Sequence, residues 1–507
     1  MKPASPSLLG RFFSPAPDEG AQVTFDWREF RREYLKALPW ILVFTILVHL
    51  MEISGMLIGF ESTGLDTLLR LRDRDMSHQI VIVEITDEDY KNPDLFDGKS
   101  PLNPKLLVNL ISRLQDYRPA VIAMDFDTES DDWCRLDSNS LPKILPPATL
   151  PSDSKTNSSP NPVLVIWAEI PDAVEKSLRL TPVLGGKLRS FTHVGIPRFP
   201  VDADGVVRRY EEEFHVSGTL ADCPAKFAGN APKTASDARA RANPGNPGNL
   251  LSFSAAVIEH ACKSKDFSCS SLRQDLHHPV IFNFYGDRYR FPTIQSHEFI
   301  GPDAEGSRQA LKSQREALLQ NKIVLVGGRY NAARDVYATP LKEMAGIELI
   351  ALAIQSDLSG GGIRETQMWL DKLADIVVGS LVVLVYYYYR RRPRFAISAS
   401  LIGVPIIATG FSLLIFKTAA YWFNSVPIII GMVAHQMQHM LELSENCEEL
   451  QHEVHELERK LREAQPPNQQ VPALAPGSAQ PKSKPQEGIG PGVDAEVAKE
   501  VKPEAKP

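Results

Sequence analysis

The sequence predicts an α/β extracytoplasmic domain, a mostly parallel sheet with helices, joined to four transmembrane α-helices and a short cytoplasmic coiled coil. Three observations carry this fold class. Apolar segments follow one another almost without interruption from Leu373 to Gln436, each near the roughly 17 to 25 residues that an α-helix needs to cross a bilayer's hydrocarbon. Another apolar run, PWILVFTILVHLMEISGMLIGF, occupies Pro39 to Phe60. Between these two regions, short β-branched runs alternate with stretches of helical periodicity, as in βαβ units.

The composition fits this division. A chain of 507 residues, 43% hydrophobic, has room for one soluble domain beside several spans. A net charge of -7 gives no ground for nucleic-acid binding. Arg28, Arg31, Arg32 and Lys36 precede the first apolar run and should hold that flank in the cytoplasm. The run lies far from the N-terminus and shows no small-residue cleavage site, so a retained anchor is expected rather than a signal peptide. The next span must return, and its inner end should be basic; RRRPR stands at Arg390 to Arg394.

The expected organisation follows. Residues 1–38 form a cytoplasmic segment, 39–60 a span, 61–370 the outer domain, and 371–389, 395–416 and 419–436 three further spans. A coiled coil at 437–465 and a disordered tail at 466–507 complete a multi-pass protein of the cell inner membrane. Cys134, Cys223, Cys262 and Cys269 fall outside, where a disulfide could persist; the pairing stays open, and free buried thiols are an equal alternative. Cys447 falls inside. Within the first span His49 and Glu52 share one helical face, where a packing role outweighs a functional one.

In the outer domain, LLRLRDRD at Leu68 to Asp75 precedes QIVIVEIT, a buried strand with a polar end at Asp87, Glu88 and Asp89. Pro104 to Tyr117 carries Leu106, Leu107, Leu110, Ile111 and Leu114 at helical spacing, and AVIAMDFD is a second strand ending at Asp125 and Asp127. A Pro/Ser/Asn-rich loop follows Asp137. PVLVIWA is the next apolar run, Asp202 to Gly205 a turn, and Gly218 to Gly248 an exposed insertion. Leu250 to Ala261 and Ser307 to Gln320 read as helices, and PVIFNFYG with RYRFPT as a strand pair around Gly286 and Asp287. KIVLVGG is a late strand, followed by a helix from about Gly346 to Leu358.

Ligands of open parallel sheets bind beyond the carboxyl ends of the strands. Asp87, Asp125, Asp127, Arg329, Arg334 and Asp335 are therefore the candidate binding residues, although an Asp after a strand also caps loops. MDFDTES is close to the D-x-D-x-T phosphatase motif of haloacid dehalogenases, but Thr128 stands one place too early. VDADG lacks the later acids of a calcium loop. Gly327 and Gly328 belong to no phosphate-binding motif, and His435/His439, His452/His455 and His277/His278 have no metal-site context. No catalytic residue, cofactor or metal is expected.

Met440, Leu443, Cys447, Leu450, Val454, Leu457 and Leu461 recur at alternating three and four, a heptad seam that leans toward a parallel dimer. Glu453 and Glu458 would oppose each other across it, and a helix packing on another partner is the alternative.

The order of these pieces resembles the CHASE type 2 family, bacterial extracellular sensory domains associated with cyclases and histidine kinases. The resemblance rests on LLRLRDR, VIVEITDEDY, AVIAMDFD, VDADGVVRR, KIVLVGGRYNAARDVYATPL and GIELIALAIQSDL, followed by three spans, and covers Leu65 to Gln436. Its most specific parts are D-x-D-G-x-x-R-R at Asp202 to Arg209 and the block with Asp335, Thr339 and Pro340. Thr86 precedes Asp87 where the family often has paired acids, and DLFDGKSPLNP replaces a Trp-Pro-rich segment. The resemblance implies a sensor or receptor protein and no enzyme. Its partners would be a small ligand or extracytoplasmic protein outside, membrane lipid around the spans, and a cytoplasmic effector reached through the coiled coil. The stretch after Gln436 is too short for a catalytic domain, so the effector is expected on another chain. A metal-dependent hydrolase or a structural anchor are the rival readings.

Overall fold

Asp26 caps the first described element. Its carboxylate accepts the backbone N–H groups of Arg28 (2.8 Å) and Glu29 (3.4 Å), satisfying open donors of helix α1, Trp27–Ile53. The charged segment before Pro39 and the first apolar run are thus one helix. The run does not continue as a helix to Phe60: Gly55 takes a left-handed φ of 78°, which glycine adopts without steric cost, and closes the end. Helix α2, Ile58–Arg70, follows and buries Leu65, Leu68 and Leu69.

The computed structural model describes residues 26–72, 78–136, 144, 163–174, 177–179, 183–186, 193–216, 249–264, 267, 279–285, 290–301, 304–389 and 393–464. The expectations for residues 1–25, most of the loop after Asp137, the Gly218 to Gly248 insertion, His277, His278, Arg390 to Arg392 and the tail from Gln465 lie outside them.

After α2 come strand β1 (Ile80–Ile85), helix α3 (Pro104–Gln115) and strands β2 (Val121–Asp125), β3 (Leu164–Ala168) and β4 (Val194–Gly195). Strand β5 (Arg209–Tyr210), helix α4 (Phe253–Ala261), strands β6 (Val280–Ile281) and β7 (Thr293–Gln295), helix α5 (Ala304–Leu319) and strand β8 (Ile323–Gly328) continue the domain. The hairpin of β9 (Val336–Ala338) and β10 (Glu343–Ala345) leads into helix α6 (Gly346–Leu358) and strand β11 (Arg364–Glu365). Helix α7 (Met368–Tyr388), helix α8 (Pro393–Thr418), strand β12 (Tyr421–Trp422) and helix α9 (Val426–Ala464) complete the described chain.

Six strands form one sheet in the order β7-β1-β8-β2-β3-β4, and every pairing is parallel. The β1 side chains explain why its run is continuously apolar. Ile80 and Ile82 pack in a core with α4 and α6, while Val81, Val83 and Ile85 pack in another with α3. Leu110, Ile111 and Leu114 of α3 are fully buried there. Burying each such side chain contributes about 1.5–3 kcal/mol.

The strand pair expected around Gly286 and Asp287 does not form as a hairpin. Val280 and Ile281 pair with β5, whereas β7 joins the sheet edge parallel to β1. Pro292 cannot donate at that edge, but its carbonyl accepts the Ile82 N–H at 2.9 Å.

Two helical stretches, Trp27–Ile53 and Phe395–Thr418, are long and apolar enough to cross a membrane. Helix α7 lies along α1: Tyr34 and Ser380 share a 3.0 Å hydrogen bond, and a Cβ on Gly379 would meet Ile41 at 2.9 Å. The Tyr387 hydroxyl donates to the Asp26 carbonyl (3.0 Å), and Gln436 reaches Ser400 (2.5 Å). These contacts all lie in the unit Met1–Gln438; His439–Pro507 is a separate unit, helical as far as Ala464. In that second unit Leu450, Val454 and Leu457 are exposed, while nothing is described of the side chains of the other seam residues.

Candidate functional site

The three strands that end in polar residues are neighbours at the centre of the sheet. Glu84 of β1, Gly327 of β8 and Asp125 of β2 stand at one level of the pleat. Gly327 is required there, because a Cβ would meet Ile347 at 2.8 Å. One residue on, β8 ends and the chain turns through Arg329 toward Arg334 and Asp335.

Asp335 sits at the start of α6. Its carbonyl accepts the Gly346 N–H at 2.9 Å, and its carboxylate lies so close that a Cβ on Gly346 would fall 2.0 Å from Oδ2. Burial raises the Asp335 carboxyl above the ordinary range, partly offset by a hydrogen bond from Tyr337. Asp125 faces the same space. Burial first, and then the neighbouring Asp335 charge, push its carboxyl up to about 8. Burial also raises the Tyr337 phenol, and Asp335 adds to the effect. Asp125, Asp335 and Tyr337 thus form a cluster in which a proton is readily held.

The other candidates do different work. Asp87 receives the Asn331 backbone N–H at 3.0 Å and the Asn331 side-chain amide, pinning the loop after β8. Asp127 accepts the Glu129 N–H at 2.9 Å, a local turn of the kind that explains many Asp residues after strands. Arg334 is exposed and takes a left-handed φ of 53°. Arg329 lies between Glu84 (3.5 Å) and Glu348 (3.4 Å). Tyr90 and Tyr330 stack with centroids 4.4 Å apart beside this loop, and burial, with Tyr90 second, pushes the Tyr330 phenol up to about 12. Among the described residues no group of three or more His, Cys, Asp or Glu is arranged to hold a metal.

A second cluster escaped the sequence reading. The Asp202–Gly205 turn forms as expected, with Gly205 at φ 82°, and it presents two carboxylates to Arg208. The Arg208 side chain is only 2% exposed. Its guanidinium donates to Asp66 of α2 through two bonds (2.7 and 2.9 Å), to Asp202 (3.0 Å) and to Asp204 (two bonds of 2.8 Å). Burial disfavours that charge, but the three carboxylates more than compensate and leave it firmly protonated. Arg209 pairs with Asp202 and, at 2.8 and 2.6 Å, with Glu365 of β11. The signal was present as D-x-D-G-x-x-R-R, whose first half was read only as a turn.

Cys262 is disulfide-bonded. No curated protein and no solved structure matches the chain. The family model of the CHASE2 domain matches residues 41–385, from the first apolar helix through the sheet, the Arg208–Arg209 cluster and most of α7. The chain therefore belongs to the CHASE2 family of extracellular sensory domains.

Proposed function

We propose that this chain is a bacterial inner-membrane receptor that binds a signal outside the cytoplasm and transmits it through its membrane helices to a separate cytoplasmic effector. The observation that carries this reading is the Arg208–Arg209 pair. Arg208 holds Asp66 on the helix that follows the first span, and Arg209 holds Glu365 just before α7. One dipeptide of the sensory domain thereby grips both connections to the membrane. A signal can move the spans only if it favours one arrangement of these connections over another.

Four spans, formed by α1, α7, α8 and the first part of α9, fit the remaining contacts. Arg364 and Glu365 pair with Tyr421 and Trp422, the turn between α8 and α9, which belongs on the outer side. Tyr387 and Asp26 meet at the opposite end, the inner side. A disulfide at Cys262 accords with an oxidising outer compartment. Asp125, Asp335 and Arg329 serve recognition at the carboxyl edge, with Asp87 positioning the loop beside them; Asp127 and Arg334 flank it. The exposed Leu450, Val454 and Leu457 provide a seam for a parallel homodimer or the effector.

Cysteine accessibility in intact cells tests this topology. A cysteine at exposed Val201 should react with a membrane-impermeant maleimide, and one at exposed Glu453 only after permeabilisation. Labelling of Glu453→Cys in intact cells would sink the reading.

A further inference from the structure

A cavity of about 370 Å³ lies beside the carboxyl edge, on the sheet face that α6 covers. Helix α6 packs on β1 and β8, and the β9–β10 hairpin and the aromatic residues after β6 close the space over β1 toward the edge strand β7. The volume falls in the roughly 300–1,000 Å³ range of small-molecule sites.

Its chemistry is uneven. Phe284, Phe291 and Leu352 give apolar walls. Glu84 and Glu348 also line it, but Arg329 lies between them and answers both carboxylates. Arg290 and Lys342 stand exposed on the lining, and neither has an ion pair among the described residues. The lining thus carries one more cation than carboxylate. A ligand's ammonium group would find the wall carboxylates already engaged, and a polyanion would meet too little positive charge and too much apolar surface. The complement is a single negative charge on an apolar body.

The hairpin that roofs the cavity is also tied to the membrane connection. Arg70, the last residue of α2, donates through Nε and Nη2 to the Pro340 carbonyl at 3.2 and 2.9 Å. Leu341 and Lys342, the next two residues, line the cavity. Ala338 of the same hairpin accepts the N–H of Val207, the neighbour of Arg208, at 2.8 Å.

We propose that this cavity binds a small organic monocarboxylate with an aromatic or branched apolar body, and that the β9–β10 hairpin passes its occupancy to α2 through Pro340 and Arg70. The second half of this proposal rests on the receptor reading above; the first does not. Lys342 and Arg290 meet the carboxylate, and Phe284, Phe291 and Leu352 hold the body.

The full chain in lipid nanodiscs is titrated with benzoate, phenylacetate and hydrocinnamate, followed by calorimetry and thermal unfolding. At least one acid at millimolar concentration should bind and raise the unfolding temperature, because binding to the folded state stabilises it. Phenylacetamide, which lacks the charge, should not. Lys342→Glu combined with Arg290→Glu should weaken binding by more than about tenfold while circular dichroism stays native, and Leu352→Trp should block it. Binding by none of the acids, equal binding of the amide, or undiminished binding by the charge-reversed variant would overturn the site. Binding of an acid without any change in spin-label distance between Thr67→Cys and Trp369→Cys would overturn the transmission step and leave the site standing.

Discussion

Arg208 and Asp66 are joined by two parallel hydrogen bonds of 2.7 and 2.9 Å, across 142 residues of sequence. The bidentate geometry fixes direction as well as distance, which a lysine at the same place could not do. It locks the turn at Asp202–Gly205 onto the helix that follows the first apolar segment. Through Arg209, which pairs with Asp202, the same turn also reaches Glu365 of β11, just before α7.

Removing this guanidinium leaves three carboxylates facing one another in a largely buried place. Arg208→Ala should therefore lower the domain's opening free energy by about 3–5 kcal/mol, read by native-state hydrogen exchange in α2. Arg208→Lys should recover only part of the loss.

The Asp125 carboxyl, raised by burial and by Asp335 to about 8, makes stability depend on pH. The folded state holds this proton more tightly than the unfolded chain, so stability is greatest at low pH as far as this group is concerned. It falls as pH rises from 3.8 to about 8 and is level above that. Asp125→Asn should flatten this part of the profile and should exceed the native protein in unfolding temperature above pH 8. An unchanged slope would show that the proton is not held at Asp125.

Gly346 touches the Asp335 carboxylate so closely that Gly346→Ala must displace it. The variant should lose about 1–3 kcal/mol of stability. Asp335→Ala should relieve that loss, and a double-mutant cycle on unfolding free energies measures the coupling.

The central strands were legible because β1, β2 and β8 are buried on both faces and so read as continuous β-branched runs. Their adjacency was inferred only as a crevice of acidic ends, and the register of Glu84, Gly327 and Asp125 supports it. The pairing of Val280–Ile281 was not legible, since a partner in β5 lies far away in sequence while RYRFPT lies near. Asp87 and Asp127 show the opposite difficulty: an acid after a strand looks the same whether it binds a ligand or holds a turn. Arg208 was hidden because no local pattern announces that Asp66 is its partner.

The most direct measurement is the distance distribution between spin labels at Thr67→Cys, on α2, and Trp369→Cys, at the start of α7, in the full chain in nanodiscs. Both positions are exposed. With Arg208 and Arg209 intact the distribution should be narrow, and Arg208→Ala with Arg209→Ala should broaden it or split it in two. An identical narrow distribution in the double variant would contradict the claim that this pair holds the two membrane connections in one arrangement.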